Sequence, residues 1–328
     1  MMVYLAVIGC VAVFAIWAYK VMIDIRPKVK RPVMDTHALQ VIDELEPQLM
    51  AHITALADKI GPRNVYAPDK LDAAAEYIRV FWEEAGYEVK TQTFSAQDVP
   101  CRNLVVEIAG QSEPDEIVVV GAHYDTVSWA PGANDNGSAV AALLELSRLF
   151  RSQTAGRTLR FVAFTNEEPP FFKTRSMGSL VYAKACEEKE ENVVGMVCLE
   201  TIGYYRDERK TQKYPVPFRF FYPDKGKFLA VVGNLSSKPL VKAFTRYFME
   251  ESDFPIECIA TFGFITGIDW SDQWSFWQCG YPAIMLTDTA LFRYPYYHTS
   301  EDTSDKISNR QLSKATHGIF RALVRMVE

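Results

Sequence analysis

The chain has 328 residues, 48 % of them hydrophobic and 23 % charged, with 35 basic against 41 acidic side chains. These proportions are those of an ordinary folded protein and exclude wholesale disorder. A net charge of −6 leaves no excess of cations to displace counterions, so nucleic acid is not an expected partner.

The charge is unevenly spread. Residues 1–19 carry no charged side chain and, apart from Gly9, are all apolar. As a helix such a run spans about 28 Å, close to the roughly 30 Å hydrocarbon core of a bilayer. Trp17 and Tyr19 stand where an interfacial aromatic belt would lie. No basic residue precedes the run, and no small-x-small cleavage site follows it. The expectation is a transmembrane anchor over residues 1–20, with membrane attachment through it; a cleaved leader or a buried helix is the competing reading. Lys20, Arg26, Lys28, Lys30 and Arg31 against Asp24 form a basic collar, so residues 21–36 read as a juxtamembrane linker and 37–328 as the folded, acidic body. The six cysteines, at positions 10, 101, 186, 198, 258 and 279, contain no C-x-x-C, which argues against a disulfide scaffold and against a cysteine zinc site.

Asp35-Thr36 caps a helix expected to run to about Ile60, with Pro47 making a single straight helix doubtful. Pro68 to Glu84 is a second helix, Pro at its start and Gly86 just past its end. Strands are expected at 88–94 and 103–109. The apolar run 116–122 reads as a strand buried on both faces. A helix follows at 137–151, then a strand at 158–164, a helix at 176–190 and a strand at 193–200. Further strands are expected at 228–233, 256–261 and 282–287, and helices at 238–250, 271–279 and 309–327. The alternation predicts one α/β domain of three layers, a central mixed β-sheet flanked by helices, in addition to the transmembrane helix. In such sheets chemistry gathers beyond the C-terminal strand ends.

The candidate residues fall there. His123-Tyr124-Asp125 follows the strand at 116–122, Asn166-Glu167-Glu168 follows 158–164, and Glu200 ends 193–200. The loop 132–138 opens a helix and carries Asp135; His298 lies in the loop before the last helix. Of the five histidines, His37, His52 and His317 sit in predicted helices, whereas His123 and His298 sit among carboxylates. Histidine with carboxylates suits Zn²⁺. Asp125, two residues after His123, is placed to accept its second ring N–H and fix the tautomer; a turn residue is the competing reading. Of Glu167 and Glu168, one would bind metal and the other handle a proton.

Taken together, His123-x-Asp125, the segment Gly132-Ala133-Asn134-Asp135-Asn136-Gly137-Ser138, Glu167-Glu168, Glu200, Ser271-Asp272 and Tyr297-His298-Thr299 resemble the M28 family of zinc peptidases over about residues 50–328. Each motif alone is weak; their order is specific. The resemblance implies two zinc ions per chain bridged by Asp135, with His123 and Glu200 on one and Glu168 and His298 on the other. It implies Glu167 as general base to a metal-activated water, and a cis peptide at Asp135-Asn136. Three departures stand out: Glu200 where many members have Asp, Gln273 where His often follows Ser-Asp, and Pro169-Pro170 where Gly is commoner. The expected function is a zinc-dependent aminopeptidase acting on peptides with a free N-terminus, since an acidic cluster attracts an ammonium group. A single-zinc glutaminyl cyclase-like acyltransferase using Asp135, Glu168 and His298 is the alternative. An M20-type peptidase is disfavoured because 200–298 leaves little room for a lid domain, and an inactive binding protein on the same fold is disfavoured because every ligand position is filled. Trp129, Phe171, Phe172, Phe292, Tyr294 and Tyr296 are candidates for an apolar substrate pocket, with core packing as the rival reading. Arg293 is a candidate for a substrate carboxylate, with a structural ion pair as its rival. The positive-inside rule would keep the body in the cytoplasm, whereas the resemblance favours an extracytoplasmic catalytic domain, which is the expectation adopted.

Overall fold

The computed structural model describes residues 19–216 and 218–328. Its centre is an eight-stranded sheet built from β1 (Lys90–Ala96), β2 (Val99–Ile108), β3 (Glu113–His123), β4 (Arg157–Phe164), β5 (Asn192–Glu200), β6 (Leu229–Asn234), β7 (Ile256–Thr261) and β8 (Ala283–Thr287). The strand order is β1-β2-β4-β3-β5-β8-β6-β7. Strands β4, β3, β5 and β8 run parallel side by side, whereas β1, β2 and β6 pair antiparallel with their inner neighbours. The sheet is therefore mixed, as expected.

Helices α1 (Thr36–Ile53), α2 (Pro68–Glu84), α3 (Ala139–Phe150), α5 (Lys238–Glu251) and α7 (Asn309–Val327) supply one large core on one face of the sheet. Helices α4 (Gly178–Glu188) and α6 (Gln273–Gln278) cover the other, with a second core around Phe164, Cys198 and Met285. Three layers result because β3 and β5, apolar throughout their inner halves, must be covered on both faces. The Asp35 carboxylate caps α1 by accepting from the Ala38 N–H at 2.8 Å. Pro47 lies within α1 without ending it, and the helix passes into π winding over Thr54–Ile60. The five described cysteines in the body are free.

The expected transmembrane helix over residues 1–20 requires correction. Among the described residues no helix is long and apolar enough to cross a membrane; residues 1–18, on which most of that expectation falls, lie outside the described residues. The described part starts with a short π turn, Tyr19–Ile23. Nor are residues 21–36 a free linker. Met22 and Ile25 are buried, Arg26 pairs with Glu257 of β7 at 2.7 Å, and Arg31 donates to the Asp253 and Phe254 carbonyls at 3.0 and 2.7 Å. Two of the collar's cations, Arg26 and Arg31, are thus engaged by acceptors of the body, and Lys20 pairs with Asp24 within the collar. The membrane attachment through residues 1–20, and with it the localisation as a membrane-anchored extracytoplasmic domain, is not supported by any described helix.

Candidate metal centre

Parallel strands end at the same edge of a sheet. His123 closes β3 directly opposite Phe164, the last residue of β4, and Glu200 closes β5 opposite Thr287, the last of β8. Glu167 and Glu168 lie three and four residues past the end of β4. The edge thus gathers His123, Glu167, Glu168 and Glu200, and two loops bring Asp135 and His298 over it.

Two triads result, and they share Asp135. His123 Nε2 lies 3.5 Å from Asp135 Oδ1 and 3.2 Å from Glu200 Oε2. His298 Nε2 lies 3.0 Å from Asp135 Oδ2 and 3.2 Å from Glu168 Oε2. Each oxygen of Asp135 thereby faces a different histidine. In both triads the donor atoms lie within 4.8 Å of one another. Donors about 2.1 Å from a tetrahedral zinc stand roughly 3.4 Å apart, so these separations suit a metal. The hydrogen-bond inventory agrees: His123 Nε2, Asp135 Oδ2, Glu168 Oε1 and His298 Nε2 are buried and lack a hydrogen-bonding partner. Buried polar atoms are rarely left so without a reason.

Glu167 stands beside the first triad without joining it, its Oε2 3.9 Å from His123 Nε2. Asp125 lies beneath the pair of glutamates. Its two carboxylate oxygens accept the backbone N–H groups of Glu167 and Glu168, each at 3.1 Å. His123 Nδ1 bonds to the backbone carbonyl of Asp125 at 3.2 Å, with the carboxylate farther off at 3.5 Å. The tautomer is therefore fixed chiefly by the backbone of Asp125, and the side chain anchors the Glu167-Glu168 turn. Burial and the adjoining Glu168, Glu200 and Asp272 carboxylates push Glu167 well above the usual carboxylate range, against the pull of His123. Burial, with Asp135 beside it, raises Glu168 to about 7. For Asp135 burial acts upward, but the two imidazoles outweigh it and hold the carboxyl below its usual range. Cations between these groups would reverse much of the repulsion.

Several supports were not legible as such in the sequence. Asp302 accepts the N–H groups of Asn134 and Asp135 at 2.8 and 3.1 Å and the Tyr294 hydroxyl at 2.7 Å. Asp288 accepts from the Asn134 amide and from the Tyr204 and Ala290 N–H groups at 2.9 to 3.0 Å. Together they hold the loop that presents Asp135, where the Asp135-Asn136 peptide is cis. Gly132 makes this loop possible: its φ is +71°, and a Cβ there would lie 2.6 Å from the Asp135 carbonyl oxygen. Arg63, fully buried, donates to the Tyr124 carbonyl at 2.6 Å and to those of Pro131 and Gly132 at 2.7 and 3.1 Å. It places a cation behind the acids. Ser271 Oγ donates to Glu200 Oε2 at 2.6 Å. A cue existed for Asp302, four residues after His298 in the same loop; none existed for Arg63.

The aromatic candidates divide. Phe292 lines the cleft beside the centre. Phe171 and Tyr294 are buried, Tyr294 as a partner of Asp302. Trp129 is 62 % exposed and donates its indole N–H to the His298 carbonyl at 2.8 Å. Arg293 is buried and donates to Gln212 Oε1 and the Tyr204 carbonyl at 2.7 and 3.3 Å, the structural role rather than the substrate-binding one. Gln273 donates to the Ile268 carbonyl at 3.0 Å, and Pro169-Pro170 is a second cis bond.

Comparison with known proteins shows the family and the fold. The model of peptidase family M28 matches residues 103–323. The Escherichia coli protein named uncharacterized protein YfbL is 36 % identical over 285 residues, covering 84 % of this chain and 87 % of its own. The solved structure of BSAP, a zinc aminopeptidase from Bacillus subtilis, superposes with a TM-score of 0.69 at 18 % identity over 86 % of this chain and 95 % of that one. The Fimbriiglobus ruber glutaminyl cyclase superposes at 0.60 and 19 % identity over 92 % and 97 %. At such identities these two likenesses carry the fold alone.

Proposed function

Since this chain belongs to peptidase family M28, we propose that it is a two-zinc aminopeptidase removing N-terminal residues from peptides. The observation that carries the reading is the pair of triads sharing Asp135. His123, Asp135 and Glu200 would hold one zinc, and Asp135, Glu168 and His298 the other. Zinc held there supplies Lewis acidity toward a scissile carbonyl and acidifies a coordinated water.

The chain's own groups do the rest. Glu167, close to the first triad yet outside both, takes up a proton at its carboxylate and returns it to the leaving amine. Its burial favours the protonated form once the proton has arrived. Asp125 acts through Glu167 and Glu168, fixing their backbone so that Glu168 would be held as a ligand of the second zinc while Glu167 stays outside both triads. The surplus of carboxylates attracts a free α-ammonium, which favours an exopeptidase over an endopeptidase.

The fold is also that of a glutaminyl cyclase, for which the Asp135–Glu168–His298 triad alone would serve. Metal analysis with a chromogenic aminoacyl anilide separates the two. We expect two zincs per chain, hydrolysis lost to a chelator, and recovery on adding Zn²⁺. One zinc per chain with cyclisation of an N-terminal glutamine would replace the aminopeptidase reading with the cyclase one.

A further inference from the structure

A cleft lined by Glu200 and Tyr297 at its inner end runs from the metal centre along the sheet. Strand register gives its floor. Glu200 of β5 stands opposite Thr287 of β8, Thr287 opposite Ala230 of β6, and Ala230 opposite Glu257 of β7. Residues paired in this way point to the same face, so the four form one row across the sheet, and all four line the cleft. Three strand spacings make the row roughly 14 Å long. The two middle positions carry small side chains, flanked by Met285, Val232 and Ile259. A trough results, with a carboxylate at each end.

The walls are aromatic, with Phe218, Phe228 and Phe292 among them. Gly267 allows the covering loop to lie against Phe292; its φ is +89°, and a Cβ there would stand 2.9 Å from the Phe292 ring. The far end is closed to charge. Glu257 is already paired with Arg26 through Oε1 at 2.7 Å, which offsets the charge that would draw a lysine or arginine side chain inward. Beyond Thr287, two strand spacings, about 10 Å, remain. A leucine side chain reaches about 4 Å from its Cα, and a tyrosine or tryptophan about 6–7 Å. Leucine would leave the Ala230 section empty.

Resting on the aminopeptidase reading, we infer that the trough selects a large aromatic N-terminal residue, and that Ala230 sets its depth. Aromatic walls add edge-to-face contacts to the burial of such a ring. Neither Ala230 nor Glu257 touches the two triads, so depth can be changed without changing the metal centre.

The test uses the zinc-loaded full chain with anilides of Ala, Leu, Phe, Trp and Lys, and calorimetric binding of free Leu, Phe and Trp. The wild type should favour Phe and Trp over Leu about tenfold in kcat/KM, with Lys lowest, and bind the free amino acids in the same order. Ala230→Phe, which plugs the middle of the row, should lower the Phe-to-Leu and Trp-to-Leu ratios of kcat/KM about tenfold, to near one or below, with metal content unchanged. Ala230→Leu, a smaller plug, should do the same to a lesser degree and serves where the larger ring prevents folding. Equal rates for Leu, Phe and Trp, a preference for Lys, or a uniform loss across all substrates in both variants would overturn the inference while leaving the proposed function intact. Absence of turnover on every anilide would remove the proposed function, and this inference with it.

Discussion

Asp125→Asn isolates the support from the ligands. The wild-type carboxylate accepts two backbone N–H groups at 3.1 Å, one from Glu167 and one from Glu168. Asparagine keeps one acceptor and turns an NH₂ toward the other N–H, so one charge-assisted bond is lost and a buried donor is left facing a donor. A hydrogen bond to a charged group contributes about 1.5–3 kcal/mol, and an unsatisfied buried donor costs about 1–3 kcal/mol. The expected loss is about 4 kcal/mol. Unfolding entropy near 2.1 cal/mol/K per residue, over a domain of about 300 residues, converts this into a fall in Tm of roughly 6 °C. Both glutamates move with the turn. Displacement of about 1 Å at a reacting group costs on the order of 10²-fold in rate, and loss of a support behind a metal ligand costs about 10- to 100-fold in metal affinity. Calorimetric unfolding of the zinc-free protein, zinc titration and kcat on one anilide would measure the three effects. A variant with wild-type Tm and wild-type kcat would refute the assignment of Asp125 as the anchor of the Glu167-Glu168 turn.

Two further predictions concern proton traffic. Glu167→Gln keeps the volume of the side chain but removes its proton acceptor, so kcat should fall about 10²- to 10⁴-fold with zinc content unchanged; near-normal turnover would remove Glu167 as the base. His317, in α7, is pushed down to about 4 by burial, with Arg321 and His37 adding to the effect. Between its ordinary value near 6.5 and about 4 the unfolded chain binds more protons than the folded one, so stability present above pH 6.5 is lost as pH falls toward 4, by up to about 3 kcal/mol. His317→Gln lacks this term. The wild-type minus variant difference in Tm should therefore shrink by roughly 5 °C between pH 7.5 and pH 4, and a difference independent of pH would contradict it.

Much of the architecture was legible because local pattern and tertiary fate coincide here. Apolar runs at 116–122, 158–164 and 193–200 became the central strands, and the polar residues that punctuate their ends became the cluster. What could not be read is what depends on register between distant strands. No linear pattern joins Glu200, Thr287, Ala230 and Glu257, which become neighbours only through three pairings. The basic collar was misjudged for the same reason. It read as a juxtamembrane linker because the acceptors of Arg26 and Arg31 lie more than 220 residues away. Asp302 and Asp288 drew no reading, since nothing in the sequence states that their partners are the Asn134 and Asp135 N–H groups and the Asn134 amide.

Hydrogen-bond supply separates ligands from supports in this centre. The edge of the sheet collects many carboxylates in a small buried volume, and an unpaired buried charge is costly. Asp125, Asp288 and Asp302 each accept two backbone N–H groups; the backbone meets their demand and fixes their place. Arg63 adds a buried cation behind them, held by carbonyls rather than by the acids, so it offsets their charge without occupying an oxygen that faces the centre. Asp135, Glu168 and the two histidines keep atoms that no protein donor reaches. An apolar filling could not satisfy those atoms; a cation would. Asp272 tests the rule from the other side. It is fully buried, both of its oxygens lack partners, and burial raises it to about 7, yet it belongs to neither triad. Burial there biases the carboxyl toward its neutral, protonated form, so a buried carboxylate without partners is not by itself a ligand: the two triads are set apart by the histidine that each adds to its acids.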